Sequence, residues 1–113
     1  MPTKEESLER LESFKSLEIN WSGYGALGFD ESLITKAQEI IKTISIMPYV
    51  FPTGRSSIQF EFEKTNGDYL EFEIYEDKIE CLLIINESPE SFTLLPSEIE
   101  EKIINFYKLC LQN

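Results

Sequence analysis

Between Ser57 and Tyr75 the chain reads SIQFEFEKTNGDYLEFEIY, two strand-length runs that alternate apolar and polar residues around Asn66-Gly67. Strict alternation of this kind describes a β-hairpin with one buried and one solvated face. Opposed residues share a face, so the register follows from arithmetic. A two-residue Asn66-Gly67 loop would set Phe62 against Glu71 and Phe60 against Glu73, mixing apolar with charged. A three-residue loop, Thr65-Asn66-Gly67 with Gly67 in the left-handed position of a G1 bulge, sets Phe62 against Leu70, Phe60 against Phe72 and Ile58 against Ile74. One face is then wholly apolar.

The same register gives the other face an unusual character. Glu61 opposes Glu71, Gln59 opposes Glu73, and Glu63 opposes Tyr69. Like charges directly opposed in a sheet cost roughly a few tenths of a kcal/mol to 1 kcal/mol per pair. Salt screening on a solvated surface is the plain explanation for tolerating them. The more specific one is that the carboxylates meet a cationic partner or a bound cation.

A third strand extends both faces. With Glu76-Asp77 as a two-residue turn, the run from Lys78 to Ile85 sets Ile79 against Ile74, Cys81 against Phe72 and Leu83 against Leu70. On the other face Glu80 falls beside Glu73, Leu82 beside Glu71, and Ile84 beside Tyr69. That face is acidic at one end and apolar at the other, the composition expected of a protein-binding surface.

The rest of the chain supplies helices. Leu8, Leu11 and Phe14 form a narrow apolar stripe over about residues 4 to 17. Asp30 reads as an N-cap, with Phe29 before it placed to staple on Ile34. Leu33, Ala37, Ile40, Ile41 and Ile44 follow at helical spacing, and this helix is expected to run to about Met47-Pro48. Tyr49-Val50-Phe51, between prolines, allows at most a short edge strand. Pro52-Thr53-Gly54-Arg55 is a turn, and its Arg55 reads first as a surface salt bridge to a hairpin glutamate and second as a substrate-binding cation. Asn86 to Glu90 reads as a break, Ser91 to Leu95 as a further short strand, and Ser97 with Glu100 as the capping box of a last helix carrying Ile99, Ile103, Phe106, Tyr107 and Cys110 on one face.

In the segment NWSGYGALG, Trp21 and Tyr24 read as aromatic anchors that fold a glycine-rich loop onto the domain. Gly23, Gly25 and Gly28 spell G-x-G-x-x-G, but a dinucleotide site needs a buried strand before it and an acid about 20 residues on. Neither is present, and Asp30 and Glu31 would repel phosphate.

The expected fold is therefore α+β: one domain over residues 1–113, with an antiparallel sheet of three to five strands built on the central hairpin 57–75. Two of the helices pack on the apolar face, and the first helix with the Trp21 loop closes an edge or the outer face.

Two stretches together, NWSGYGA at 20–26 and PTGRSSIQFEFE at 52–63 with LEFEI at 70–74, resemble a group of small bacterial and phage proteins with no established activity. That group carries a W-x-G-x-G-A loop, an amphipathic helix, and P-T-x-x-G-x-I-Q-x-E and L-E-x-E-I strands. The resemblance spans roughly residues 15 to 80, with Ser56-Ser57 standing where the group has glycines. It implies the α+β fold and marks Trp21, Gln59, Glu61, Glu71 and Glu73 as a characteristic set, and it implies no chemistry.

Composition narrows the function. A formal net charge of −11 argues against direct contact with nucleic acid or an anionic membrane, which need a basic face. The N-terminal residues lack an apolar signal region and no apolar run approaches a membrane span, so a soluble cytoplasmic protein is expected. Cys81 and Cys110 are too far apart in sequence for a metal knuckle and read as free thiols. With no histidine, the usual general base and zinc ligand are missing, so no catalytic residue and no cofactor is assigned. The favoured reading is an acidic protein-binding module, of the antitoxin, immunity or phage-inhibitor kind, that covers a basic surface of a partner or a second copy of itself. Its candidate contact residues are Arg55, Gln59, Glu61, Glu63, Tyr69, Glu71, Glu73 and Glu80. The alternative is a small enzyme or a domain that binds a divalent cation or small ligand through the same glutamates, whose hard oxygens suit Mg²⁺ or Ca²⁺.

Overall fold

Five antiparallel strands follow one another in sequence and in space: β1 (Tyr49–Pro52), β2 (Ile58–Glu63), β3 (Tyr69–Ile74), β4 (Ile79–Ile85) and β5 (Ser88–Leu94). Among the described residues three α-helices accompany them, α1 (Lys4–Ser13), α2 (Glu31–Thr43) and α3 (Ile99–Leu111). This computed structural model describes residues 2–17 and 28–111, without the side chains of 109–111. The Trp21 and Tyr24 anchors, the first two glycines of the G-x-G-x-x-G match and the Cys110 side chain lie outside the described residues.

The central hairpin has the register that face-matching requires. Ile58 pairs with Ile74, Phe60 with Phe72, Glu61 with Glu71, Phe62 with Leu70 and Glu63 with Tyr69. Gly67 has φ +95° and donates to Lys64 O at 3.0 Å, closing the bulged turn. β4 continues the pattern, with Ile79 on Ile74, Cys81 on Phe72 and Leu82 on Glu71.

The apolar face, with Ile58, Phe60, Phe62, Leu70, Phe72, Ile74 and Ile79, is buried in one core with Leu33, Ile34, Ala37, Ile40 and Ile41 of α2 and Ile99, Ile103 and Phe106 of α3. Tyr107 of α3 meets Phe62 edge-on at 6.4 Å between ring centroids. α1 packs on α2 and β1, contributing Leu11 to the core, with Phe14 just beyond its end, and so closes one edge. It begins with a capping box that the sequence reading passed over: Thr3 Oγ1 accepts from the Glu6 N–H, and Glu6 Oε1 from the Thr3 N–H, both at 3.1 Å. Phe29, just before α2, stacks on Phe14 at 5.7 Å.

Three boundaries differ from expectation. α2 ends at Thr43 because buried Ile44 is extended, at φ −100° and ψ 151°, and the Ser45 N–H and Oγ both donate to Glu100. Glu100 is thereby unavailable for a capping box with Ser97. The turn Pro96–Glu98 ahead of α3 is instead closed by Glu98, whose carboxylate accepts the Leu95 N–H at 2.8 Å. The third difference is β5, which begins at Ser88 and not after a break. Asn86 and Glu87 have φ of 50° and 68°, the left-handed pair of a two-residue hairpin turn. Ile84 and Pro89 then form a non-hydrogen-bonded pair. The missing N–H of Pro89 points away from β4, so an edge strand tolerates it.

Candidate functional site

The outer sheet face is bare of helices among the described residues, and its side chains lie in rows across the strands. One row runs Tyr49, Glu61, Glu71, Leu82, Ser91 and the next Phe51, Gln59, Glu73, Glu80, Thr93. The sequence-predicted residues do share this face, and they divide into two groups with different surroundings.

The first group is centred on Glu73, whose side chain is 12% exposed. Its Oε2 accepts from Arg55 Nε at 2.9 Å, Ser57 Oγ at 2.5 Å and Tyr75 Oη at 2.9 Å. Burial alone would raise this carboxyl, but the donors from Ser57, Arg55 and Tyr75 outweigh it and hold the group below the ordinary glutamate value. Ser57, fully buried, also meets Thr53 Oγ1 at 2.6 Å, and Thr53 Oγ1 accepts the Arg55 N–H at 3.1 Å. The turn between β1 and β2 is thus fastened to β3 through Glu73. Arg55 takes the salt-bridge role that its place beside the hairpin suggested.

The second group is Glu61 and Glu71. They form a non-hydrogen-bonded pair, the closer of the two antiparallel spacings at about 4.5 Å between Cα atoms, so their repulsion needs an internal answer. Gln59 supplies it. Its Nε2 donates to Glu61 Oε2 at 2.9 Å and, on the diagonal, to Glu71 Oε1 at 2.8 Å. Tyr69 Oη donates to the same Glu71 oxygen at 2.7 Å, and burial together with that acceptor pushes the phenol well above its ordinary value. No cation of the chain is paired with either carboxylate among the described residues. Two neutral donors orient the pair.

The remaining residues frame these groups. Glu80 pairs with Lys78 at 3.0 Å, both about half exposed. Glu63 stands exposed at the rim. Tyr49 and Phe51, 55% and 39% exposed, border the acidic rows on one side. Leu82 and Ile84, half-buried, border them on the other. Between β3 and β5 the face dips into a depression of about 400 Å³ lined by Glu71, Glu73, Glu80, Leu82, Ser91 and Thr93.

Ser57, Tyr75, Tyr49 and Phe51 were missed as members of this face. The hairpin register already put Ser57 and Tyr75 in line with Gln59 and Glu73, and pairing β1 with β2 would have added Tyr49 and Phe51. Cys81 is buried and its thiol is pushed up to about 12 by that burial, which disfavours a thiolate nucleophile. Among the described residues no three acidic or thiol side chains converge to hold a metal ion, and no helix is long and apolar enough to cross a membrane. Comparison with family models, curated proteins and solved structures gives no match.

Proposed function

We propose that the chain is a protein-binding module whose outer sheet face receives a cationic surface of a partner protein, in the manner of a small inhibitor of the antitoxin, immunity or phage kind. The observation that carries this reading is the Glu61–Glu71 pair, two carboxylates oriented by Gln59 and Tyr69 and paired with no cation among the described residues. An incoming Arg or Lys could pair with these carboxylates without displacing a cation found among the described residues. One oxygen of each group, Glu61 Oε1 and Glu71 Oε2, accepts no side-chain hydrogen bond among the described residues and is left for the N–H groups of a guanidinium. Tyr49, Phe51, Leu82 and Ile84 add apolar and aromatic contact area around the charge. The net charge of −11 accelerates encounter with a basic partner through long-range attraction.

The test is affinity capture from the host lysate at low and high salt, comparing wild type with Glu61→Gln/Glu71→Gln. The proposal expects a basic protein that wild type retains at low salt, that fades as salt rises, and that the double variant loses. A captured protein held equally by the variant, or indifferent to salt, would count against it.

A further inference from the structure

The two edges of the sheet are finished differently. In β1 the residues paired by backbone bonds to β2 are Tyr49 and Phe51, since Thr53 N donates to Ser57 O at 3.1 Å and bonding alternates from there. The backbone of Val50 and Pro52 therefore faces outward. Pro52 has no N–H, nor has Pro48 before the strand, and Val50 O is taken by Arg10 Nε at 2.5 Å. The Arg10 guanidinium is itself lodged between the rings of Phe14 and Phe51, 5.6 and 5.7 Å from their centroids. This edge is closed to pairing by proline and by α1.

β5 is not. Counting from the two-residue turn, its outward-facing residues are Pro89, Ser91 and Thr93. The N–H groups of Ser91 and Thr93 and the carbonyls of all three make no hydrogen bond among the described residues, and Pro89 to Ser91 and Thr93 are exposed. Among the described residues the outward backbone of Pro89, Ser91 and Thr93 in this seven-residue strand stands open, with proline only near the start.

We infer that β5 is a docking edge, on which the partner adds a sixth, antiparallel strand whose alternate side chains are Lys or Arg. The inference rests on the functional reading above and states how that partner engages. A strand paired with Ser91 and Thr93 carries the side chains opposite them on the outer face. Strands lie about 4.8 Å apart, so those side chains start about 10 Å from Glu80 and only Ser91 and Thr93, both short, lie between. Long basic side chains cross them into the depression, toward half-exposed Glu80 and, beyond it, Glu71. The intervening side chains of the added strand lie on the helix-covered side beside half-buried Phe92, whose ring already carries the Lys102 ammonium at 4.7 Å. Those positions call for apolar residues. A second copy of the chain fits less well, because β5 paired with itself brings only Pro, Ser and Thr to the acidic side and joins two strongly acidic molecules.

The experiment titrates the full-length, isotope-labelled protein with a synthetic peptide alternating Lys and Val, following the amides of Ser91 and Thr93 and their hydrogen exchange. Both amides are expected to shift and become protected. Thr93→Pro removes an edge donor that the native ladder does not use, as Pro89 already does, and should weaken binding at least about tenfold. The same peptide N-methylated at alternate residues should lose as much on the unaltered protein, which keeps the test decisive if Thr93→Pro fails to fold. Glu80→Gln should weaken binding severalfold and flatten its salt dependence. Undiminished binding of the N-methylated peptide would overturn strand addition while leaving the acidic face as the binding surface. Absence of peptide binding at low salt would overturn it too, and the lysate capture then decides whether the functional reading falls with it. A peptide-free dimer that Thr93→Pro converts to monomer would assign the edge to a second copy and overturn the inference.

Discussion

Glu73 and Glu71 are two residues apart on one strand, point to the same side, and do opposite work. Glu73 accepts three hydrogen bonds on one oxygen, from a cation, a buried hydroxyl and a phenol, and fastens a turn to the sheet. Glu71 accepts from an amide and a phenol while facing another carboxylate across the strand. The difference shows that an acidic cluster read from sequence is not one object. A carboxylate gathered up by three donors belongs to the fold, whereas one that is oriented but paired with no cation among the described residues is the kind the proposed recognition role calls on.

The largest effect that would sharpen this contrast is at Glu73. Glu73→Ala strips the acceptor from buried Ser57 and half-buried Tyr75, and hydrogen bonds to a charged group are worth about 1.5–3 kcal/mol. Urea denaturation should show a loss of about 2 kcal/mol. A loss within error of zero would dissolve the distinction.

Next comes the acid limb. The Glu73 carboxyl is held below its ordinary value of about 4.3, so its contribution is complete above that pH and is lost as pH falls through the lowered folded value. Wild type should therefore destabilise more steeply in acid than Glu73→Gln, with the two curves converging at the lowest pH. Parallel curves would mean that the donors around Glu73 do not favour its charged form. Smaller still is Arg55→Ala. The Arg55 side chain is 62% exposed, Ser57 and Tyr75 remain as donors, and exposed ion pairs contribute about 0–1 kcal/mol. A melting curve close to that of wild type is expected, and a large drop would move Arg55 into the structural group alongside Glu73.

How much of this was readable in the sequence depended on the kind of interaction involved. Register was readable, because only one alignment of Ile58, Phe60 and Phe62 with Leu70, Phe72 and Ile74 keeps a face apolar, and the penalty for slipping is large. The donor arrangement was not. Whether Gln59 reaches Glu71 or water depends on rotamers and diagonal geometry that a one-dimensional pattern does not carry. Ser57 read as the start of a strand, and only the folding of the Thr53–Arg55 turn over it makes it a buried donor. Its neighbour Ser56 has φ 58°, a conformation in which glycine is at ease, so one of the two serines at this strand start is strained and the other bonds Glu73. Pro89 was misread as a breaker because its role depends on which side of β5 lacks a partner. The Ser97 and Glu100 pattern had the spacing of a capping box, but Ser45 competes for the same carboxylate from another element. Thr3 and Glu6, by contrast, carried a legible signal.

The most direct test is the unfolding free energy of Glu61→Gln/Glu71→Gln measured in urea. Gln at both positions keeps the acceptors for Gln59 and Tyr69 and removes the opposed charges, so the double variant should be at least as stable as wild type, by up to about 1 kcal/mol. A loss of more than about 1 kcal/mol would mean that this pair holds the fold together, as Glu73 does. The division of the face into structural and recognition carboxylates would then be wrong.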